Sequence, residues 1–513
     1  MDTQIWKPFF SEFKEKTAQF YNGTISQGDY KSCSGLYGSY AQRGGEANML
    51  RLRMTAGRVT KEKMNFAAGA VKKYGISRMH FTTCQTIQLH DLTPEAAAGI
   101  MEEALSAGIV TIGSGGNYPR SVMCSPLSGV ERGEYFDVMP WAQAAGEYVL
   151  QFITAQKMPR KLKVGFSNSP KNITHVTYRD LGFAAAGTGT FDVYSAGGLG
   201  PNPRLGVLVA QNVEPEMVLY YIKAMWLTFL AYGNYESRVK ARTRYMQDTL
   251  GGQEKYKEAY LEKLQQVFDS GEDLRISADR CIVSKQGDGY KPAGRRIIEQ
   301  KQNGLYAVEW HPIGGIPDVD TFCRLNQMIQ DMQSVEMRLS PDETAYIINL
   351  TGKEAQKVLD LTADGAAESL FETSVSCIGA SICQVGLRDS QALLDACIKA
   401  VRKAGLSDGV LPQIHISGCP SSCGTHQTGV IGFRGAVKRE SGSPQPGFAV
   451  YVNGCEQQGQ EAMGREIGTI LESRIPEFLV KLGKTVQESG MNFMQWLQNS
   501  PDEIETVAAD FIS

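Results

Sequence analysis

Two cysteine pairs constrain this chain more than any other stretch: Cys377-Ile-Gly-Ala-Ser-Ile-Cys383, then, after thirty-five residues, Cys419-Pro-Ser-Ser-Cys423. Each pair is too short to act as a local disulfide staple. Four thiolates at the corners of one compact site are what an iron–sulfur cluster or a structural zinc ion requires. Structural zinc sites use gaps of about two to four residues within a pair. The five residues between Cys377 and Cys383 fit that poorly, whereas a cubane cluster has four iron corners and tolerates the wider loop. Four cysteines buried for packing are the remaining alternative. Gly418, Cys419 and Pro420 form a tight turn that ends the apolar run Ile414-His415-Ile416. The second pair therefore sits on a loop after a strand, with backbone amides able to face the cluster sulfides.

The remaining cysteines and the charge balance limit what else the chain can do. At 513 residues, 42% hydrophobic and 21% charged, it is an ordinary soluble globular composition with room for about three to four domains. A net charge of −3 excludes nucleic-acid binding by bulk charge, so any anion site is local. Met1 to Pro8 have neither a basic start nor an apolar core, and no apolar run approaches about eighteen residues, which points to the cytoplasm. Eleven cysteines, an odd number spread unevenly, indicate a reducing compartment rather than a disulfide framework. Cys33, Cys281, Cys323, Cys397 and Cys455 read as packing residues. Cys397 shares a helical face with Leu393, Leu394, Ile398 and Val401.

Along the chain, residues 1–28 are polar and carry no motif, as in an arm or interaction segment. Met49-Leu-Arg51-Leu-Arg53-Met54 alternates apolar and basic residues, a strand with its arginines on one face. Thr60 to Tyr74 has helical spacing, Arg78 to His90 reads as a strand pair or one long strand, and Thr93 with Pro94 opens a further helix. The pattern then recurs. Met79 to Thr93 aligns with Met337 to Thr351 at an offset of 258, the second copy running into a capping box of Thr351 and Glu354. Gly35-Leu36-Tyr37 is echoed by Gly304-Leu305-Tyr306. Ser169-Pro170 and Gly182-Phe183 align with Cys419-Pro420 and Gly432-Phe433 at an offset of 250, and Val193-Tyr194 with Val450-Tyr451 at 257. Matches in the same order with drifting offsets imply a duplicated unit with loop insertions.

The two copies differ in chemistry. Ser169 stands in the first where Cys419 stands in the second, so the first copy cannot hold the cluster and supplies cations instead. Pro159-Arg160-Lys161-Leu162-Lys163-Val164 is a strand-like run that projects Lys161 and Lys163 from one face. Two adjacent ammonium groups repel unless an anion joins them. Arg51 and Arg120 are further cations beside Gly-rich turns. Solvated surface charge is the alternative for each of these taken alone.

C-x5-C followed by Ser417-Gly418-Cys419-Pro420-x-x-Cys423 resembles the signature of the siroheme-containing sulfite and nitrite reductases. The resemblance implies an α+β, internally duplicated fold: two ferredoxin-like half-domains and two larger α/β domains carrying siroheme and a 4Fe–4S cluster, related by a pseudo-twofold axis. On this chain that gives an arm (1–28), a half-domain (29–110), a siroheme and anion-binding domain (111–275), a second half-domain (276–365) and a cluster domain (366–513). It implies Cys377, Cys383, Cys419 and Cys423 as cluster ligands, with Cys423 bridging to the siroheme iron. Arg51, Arg120, Lys161 and Lys163 would bind substrate oxygens. The siroheme carboxylates would meet Thr82, Gln85, Gln88, Arg160, Gly197, Gly198, Arg238, Arg242 and Arg244, since a macrocycle ringed by carboxylates needs a basic pocket. This chain departs from the pattern at Cys84, where the family commonly has arginine, and at Ser421, where it has asparagine, so neither inherits a role. Cys124 matches a frequent family cysteine and reads as packing near the pocket.

The resemblance implies a six-electron reduction of a small oxyanion. Sulfite-type members have Lys-x-Lys after Pro-Arg and nitrite-type members often replace the second lysine by asparagine, so Lys163 favours sulfite, with nitrite as the alternative. The lysines can donate protons, and the guanidinium groups cannot. No Gly-x-Gly-x-x-Gly opens a βαβ unit and no flavin motif is present, so electrons come from outside, from a ferredoxin or a separate flavoprotein. A non-catalytic iron–sulfur carrier and a zinc-stabilised binding module are the readings of a different class, and they leave the four cations without a purpose.

Overall fold

Thr60, Thr93 and Thr351 each end an extended segment and begin a helix by accepting a backbone N–H three residues on, from Lys63, Ala96 and Glu354 at 3.2–3.4 Å. Glu354 also accepts from the Thr351 N–H at 2.8 Å, completing the expected capping box. The computed structural model describes residues 4–277, 283–440 and 442–512; Cys281 lies outside them. The described chain forms two compact units. The first runs to Gly198 and takes in Arg204–Trp310 and Pro317–Asp364; the second is Leu199–Pro203, His311–Ile316 and Gly365 onward. The fold is α+β and internally duplicated. Among the described residues no helix is long and apolar enough to cross a membrane.

The first unit begins with helices α1 (Lys7–Tyr21) and α2 (Gln27–Ser34), then β1 (Ser39–Ala41), β2 (Asn48–Leu52), β3 (Arg58–Val59), α3 (Lys61–Tyr74), β4 (Met79–Phe81), β5 (Ile87–Leu92) and α4 (Pro94–Glu103). Strands β1-β2-β5-β4 make one antiparallel sheet. The expected arm is instead packed. Phe10 and Phe13 are buried, Phe13 meets the Tyr37 ring at 5.2 Å, and Thr17 bonds the Tyr30 hydroxyl at 3.0 Å.

A second sheet takes β6 (Met123–Cys124), β7 (Val164–Ser167), β8 (Leu181–Ala185), β9 (Phe191–Ser195) and β10 (Val207–Val213), parallel across β6-β7-β8 and antiparallel across β8-β9-β10. The strand expected from Pro159 starts only at Val164. Leu162 makes one isolated bridge to Pro119, and the Lys163 N–H donates to Asp180 Oδ2 at 2.8 Å instead of entering a ladder. A third sheet has β11 (Ile297–Glu299), β12 (Tyr306–Trp310), β13 (Glu336–Leu339) and β14 (Ala345–Leu350), and β3 extends it by pairing with β13. Arg58 on β3 pairs with Glu336 on β13 at 2.7 Å, joining the two half-domains.

The second unit holds β15 (Val375–Ser376), β16 (Ile414–Ser417), β17 (Ile431–Glu440), β18 (Ser443–Val452) and β19 (Arg465–Leu471). Its sheet repeats the second one: parallel across β15-β16-β17, antiparallel across β17-β18-β19. The register repeats too. Gly182 faces Tyr194 and Phe183 faces Val193, as Gly432 faces Tyr451 and Phe433 faces Val450. Left-handed residues recur at the same places: Gln85 and Glu343, Asp91 and Asn349 at an offset of 258, Asn172 and His175 against Ser422 and Thr425 at 250. The Gly-Leu-Tyr echo, in contrast, is not part of the repeat. Gly35–Tyr37 is a 3-10 turn, whereas Gly304-Leu305-Tyr306 leads into β12.

Candidate active site

In the first unit the cations converge because β2 and the run before β7 both carry basic side chains at every second position. Arg51 is held on three sides. Its Nη1 donates to the Ser114 carbonyl at 2.6 Å, and Nη2 and Nε reach the Gln88 amide oxygen at 2.6 and 3.2 Å once that amide faces the guanidinium. Arg120 closes on its own Gly-rich loop, donating from Nη2 to Gly116 O at 2.8 Å and from Nη1 to the carbonyls of Gly115 and Tyr118. An anion near these arginines meets their charge; their terminal nitrogens are already engaged. Lys161 and Lys163 are half-buried. Burial pushes the Lys163 ammonium below its ordinary pKa, Arg179 and Arg242 push it further, and a hydrogen bond and charge from Cys84 partly restore it.

Cys84 sits on the β4–β5 turn, half-buried, its N–H donating to Thr82 Oγ1 at 3.3 Å. Burial alone would raise the thiol, yet Lys163, Arg179, Arg51 and Lys161 bring it down to about 6. The cations win over desolvation and favour the thiolate form of Cys84. Tyr40 shows the same balance. Burial raises its phenol, while Arg120, the Gly116 N–H donating at 2.8 Å, Arg51 and Arg160 bring it below the ordinary value. Arg53, two residues after Arg51, is buried, and burial with the Arg120 and Arg51 charges pushes it down to about 9.

Around Asp180 a second group of cations assembles. Asp180 is fully buried and accepts from Arg242 Nη2 at 3.1 Å, Thr243 Oγ1 and the Lys163 N–H. Burial raises its carboxyl, and these partners together hold it lower than usual. Gly198, at φ +157°, lies against both basic side chains: a Cβ there would stand 3.6 Å from Arg244 and 3.7 Å from Arg242. Arg160 donates to Asn117 Oδ1 at 2.8 Å and feels the charge of exposed Arg238. Three buried nitrogens, Arg53 Nε and Nη1 and Arg242 Nε, have no hydrogen-bond partner. Open donors in a basic site suit a carboxylate-rich macrocycle, so these residues fit the expected group.

Two of the residues expected at the macrocycle also make internal hydrogen bonds. Gln85 is fully buried and its amide is engaged by backbone, accepting from Cys124 N at 2.9 Å and donating to Cys124 O at 2.7 Å and Leu339 O at 2.5 Å. Thr82 bonds Thr86 Oγ1 at 2.7 Å and holds the turn under Cys84. Sequence reasoning missed Tyr40, Arg179 and Asp180, which no local motif marks, and Arg53, whose position in phase with Arg51 was a usable signal.

In the second unit the thiols lie on the loops after β15 and β16. The Gly418 N–H donates to Cys377 Sγ at 3.2 Å, the amide-to-sulfur contact expected of that turn. Leu387 and Arg388 N–H both donate to Gly418 O at 2.9 Å, tying the first cysteine loop to the second. Burial raises the Cys377 thiol and the neighbouring Cys419 charge adds to that, while Ser390 and the Gly418 and Gly379 amides oppose it. Metal binding would remove that proton. Cys423 is exposed. Among the described residues no three His, Cys, Asp or Glu side chains are grouped to hold a single metal ion. Two cysteine loops tied together, with an amide aimed at sulfur, suit the expected cluster. Cys323 and Cys397 are buried as packing residues, and Cys33 and Cys455 are half-buried.

Comparison with known proteins agrees with this arrangement. The family model described as the nitrite and sulphite reductase 4Fe-4S domain matches residues 115–268, and the nitrite/sulfite reductase ferredoxin-like half domain matches 40–107. The first match falls on the copy without the cysteine pairs, so it reports the repeated fold rather than the ligand set. The chain is 26% identical over 430 residues to ferredoxin–nitrite reductase of Synechococcus elongatus, covering 79% of this chain and 80% of that protein. It is 22% identical over 478 residues to sulfite reductase (ferredoxin) 1 of Mycolicibacterium paratuberculosis, covering 89% and 82%. With the sulfite reductase (NADPH) hemoprotein beta-component of Bacillus pumilus it shares 25% identity over 508 residues, covering 87% and 86%. The solved structure of the Mycobacterium tuberculosis NirA protein matches with a TM-score of 0.78 over 96% of this chain and 94% of that one, at 21% identity.

Proposed function

Because the chain belongs to the nitrite and sulfite reductase family, an oxidoreductase family that uses siroheme and a 4Fe–4S cluster, we propose that it reduces sulfite to sulfide with electrons from a ferredoxin. The observation that carries this reading is the half-buried pair Lys161 and Lys163 beside Arg51, a concentrated positive site in a protein of net charge −3. Cys377, Cys383, Cys419 and Cys423 would hold the cluster. Arg160, Arg238, Arg242 and Arg244, with Gln88 behind Arg51 and the close approach at Gly197 and Gly198, would hold the siroheme carboxylates. When bound, siroheme supplies the iron that takes the substrate's sulfur or nitrogen and the cluster supplies electrons singly.

The chain's own residues would do the rest. Lys161 and Lys163 attract the oxyanion and hydrogen-bond its oxygens, and the charges of Arg51 and Arg120 stabilise those oxygens as they become basic. Lys163, its pKa already lowered by burial, gives up a proton more readily than an ordinary lysine. One observation favours nitrite as a second reading: the Cys84 thiolate offsets one positive charge at Lys163, which costs a dianion more attraction than a monoanion. Both ferredoxin-dependent and NADPH-dependent relatives occur; the ferredoxin-dependent ones support ferredoxin as the donor, with a separate flavoprotein as the alternative.

The test is the ratio of kcat/KM for sulfite and nitrite, with one ferredoxin and confirmed cofactor content. Sulfite efficiency should exceed nitrite efficiency in the parent. Lys163→Asn should lower sulfite efficiency roughly 10- to 100-fold, because a charge-assisted hydrogen bond contributes about 1.5–3 kcal/mol, and nitrite efficiency less. An unchanged ratio would remove the support that Lys163 gives to sulfite.

A further inference from the structure

Asp180 is a fully buried carboxylate among cations, and no step of the proposed reduction uses it. Its oxygens are placed by bonds from two segments. Oδ2 accepts from the Lys163 N–H at 2.8 Å, both oxygens accept from Arg242 Nη2 at 3.1 Å, and Oδ1 accepts from Thr243 Oγ1. Lys163 belongs to the run before β7, whereas Arg242 and Thr243 belong to the basic run after the helix Val218–Tyr232. The Lys163 backbone is thus gripped at both polar atoms, its N–H by the Asp180 carboxylate and its carbonyl by the Leu181 N–H at 3.1 Å. Arg242 keeps a buried donor, Nε, that has no hydrogen-bond partner. The carboxylate therefore fixes one end of the guanidinium and leaves Nε for an incoming acceptor.

The duplicated copy is an internal control. At the offset of 250, β7 and β8 correspond to β16 and β17, with Val164 opposite Leu181 as Ile414 is opposite Ile431. Asp180 then corresponds to Val430, and Lys163 to Gln413. The turn itself survives the exchange. The Ala196 N–H donates to the Asp180 carbonyl at 2.9 Å, and the Asn453 N–H donates to the Val430 carbonyl at 2.9 Å, both donors having left-handed backbones. An apolar side chain suits this turn, so the fold does not demand the acid. A buried carboxylate is costly to desolvate, and it occurs in the copy that has the lysine.

We propose that Asp180 is a positioning residue for the reduction, whose carboxylate holds the substrate-binding Lys163 and the macrocycle-binding Arg242 in one register. The assignment rests on the reading of Lys163 as a substrate lysine and of Arg242 as a macrocycle ligand. Asp180 acts through those two side chains and touches neither substrate nor cofactor. A shift of the Lys163 backbone carries its ammonium with it, and misplacing a reacting group by about 1 Å costs on the order of 100-fold in rate.

The experiment is a pair of double-mutant cycles on holoenzyme, Asp180→Asn with Lys163→Gln and Asp180→Asn with Arg242→Gln. Asparagine keeps the size of the side chain and offers one acceptor oxygen in place of two. Asp180→Asn should lower kcat/KM per siroheme about 10- to 100-fold, and it should weaken equilibrium binding of sulfite and nitrite to oxidised holoenzyme, read from the visible bands. Added to Lys163→Gln, the same change should cost less than about twofold more. Siroheme retained per chain after dilution should fall in Asp180→Asn and fall no further when Asp180→Asn is added to Arg242→Gln. Thr243→Val, which removes one donor and keeps the acid, should move both readouts the same way by a smaller factor, and it carries the test if Asp180→Asn does not fold. A merely structural role gives additive losses, so additivity in either cycle would overturn the proposal, as would parent-like anion binding and siroheme retention in Asp180→Asn. Unchanged anion binding in Lys163→Gln alone would instead sink the substrate reading, and the Arg242 cycle would still decide whether Asp180 places the macrocycle arginine.

Discussion

Cys423 and Cys397 are the same residue type with opposite surroundings, and the contrast is testable. Cys397 is fully buried on the helix Ser390–Ala404, and burial pushes its thiol far up, so it is an apolar packing group. Cys423 is exposed on the turn after β16. Cys423→Ser should abolish cluster iron, labile sulfide and the visible macrocycle bands together. Cys397→Ser should keep full cofactor content and lose about 1–3 kcal/mol of stability through a buried hydroxyl. Equal cofactor loss from both would refute the bridging role. At this scale the two cysteine pairs stood out in the sequence because cluster chemistry demands one residue type at a narrow spacing. What the guanidinium groups bond to was not, since Arg51 meets Ser114 and Arg242 meets Asp180 across 60 residues or more of sequence. Cys84 was set aside in sequence because its reactivity depends on charges that only the fold brings to it.

At the scale of elements, helix starts were the most legible part. A threonine cap needs only residues three apart; Thr93 and Thr351 cap as expected, and Thr60 caps the helix whose spacing was read from that residue. Packing against distant chain was not legible. Residues 1–28 look polar as a string, yet Phe10 and Phe13 in α1 find a buried surface; and the Gly-Leu-Tyr echo failed because three residues do not define a ladder register. The β4–β5 turn depends on distant partners. Gln85 spans from this turn to the backbone of β6 and β13. Gln85→Ala leaves a buried N–H and two buried carbonyls without those bonds, so it should cost about 2–4 kcal/mol, read as a lowered urea midpoint with an unchanged slope. The pH midpoint for labelling of Cys84 by a thiol reagent should rise in the same variant, because the turn that presents the thiol to Lys163 is loosened. Stability close to that of the parent would mean Gln85 is not the support its bonds suggest.

At the scale of the whole molecule, duplication was legible in drifting offsets and the structure repeats it in topology, register and left-handed residues. The repeat also yields a matched pair of perturbations. A Cβ on Gly182 would stand 2.0 Å from the Val176 carbonyl oxygen, and one on Gly432 would stand 1.8 Å from the His426 carbonyl oxygen; both are backbone collisions inside a strand, which no side-chain rotation relieves. Gly182 lies in the unit with the cations and Gly432 in the unit with the two cysteine pairs. Each alanine should cost about 3–5 kcal/mol locally, and the damage should differ in kind. Gly432→Ala should lose cluster iron and sulfide while Cys84 still titrates near 6, since that thiolate depends on charges in the other unit. Gly182→Ala, two residues from Asp180 in the strand that anchors Lys163, should raise the Cys84 midpoint while cluster sulfide is retained. Iron and sulfide content, set beside the pH profile of Cys84 labelling in the two variants, measures this directly. If both variants lost both properties together, the two copies would behave as one cooperative body, and the division of labour between a cation-bearing copy and a thiol-bearing copy would no longer describe how the protein holds its site.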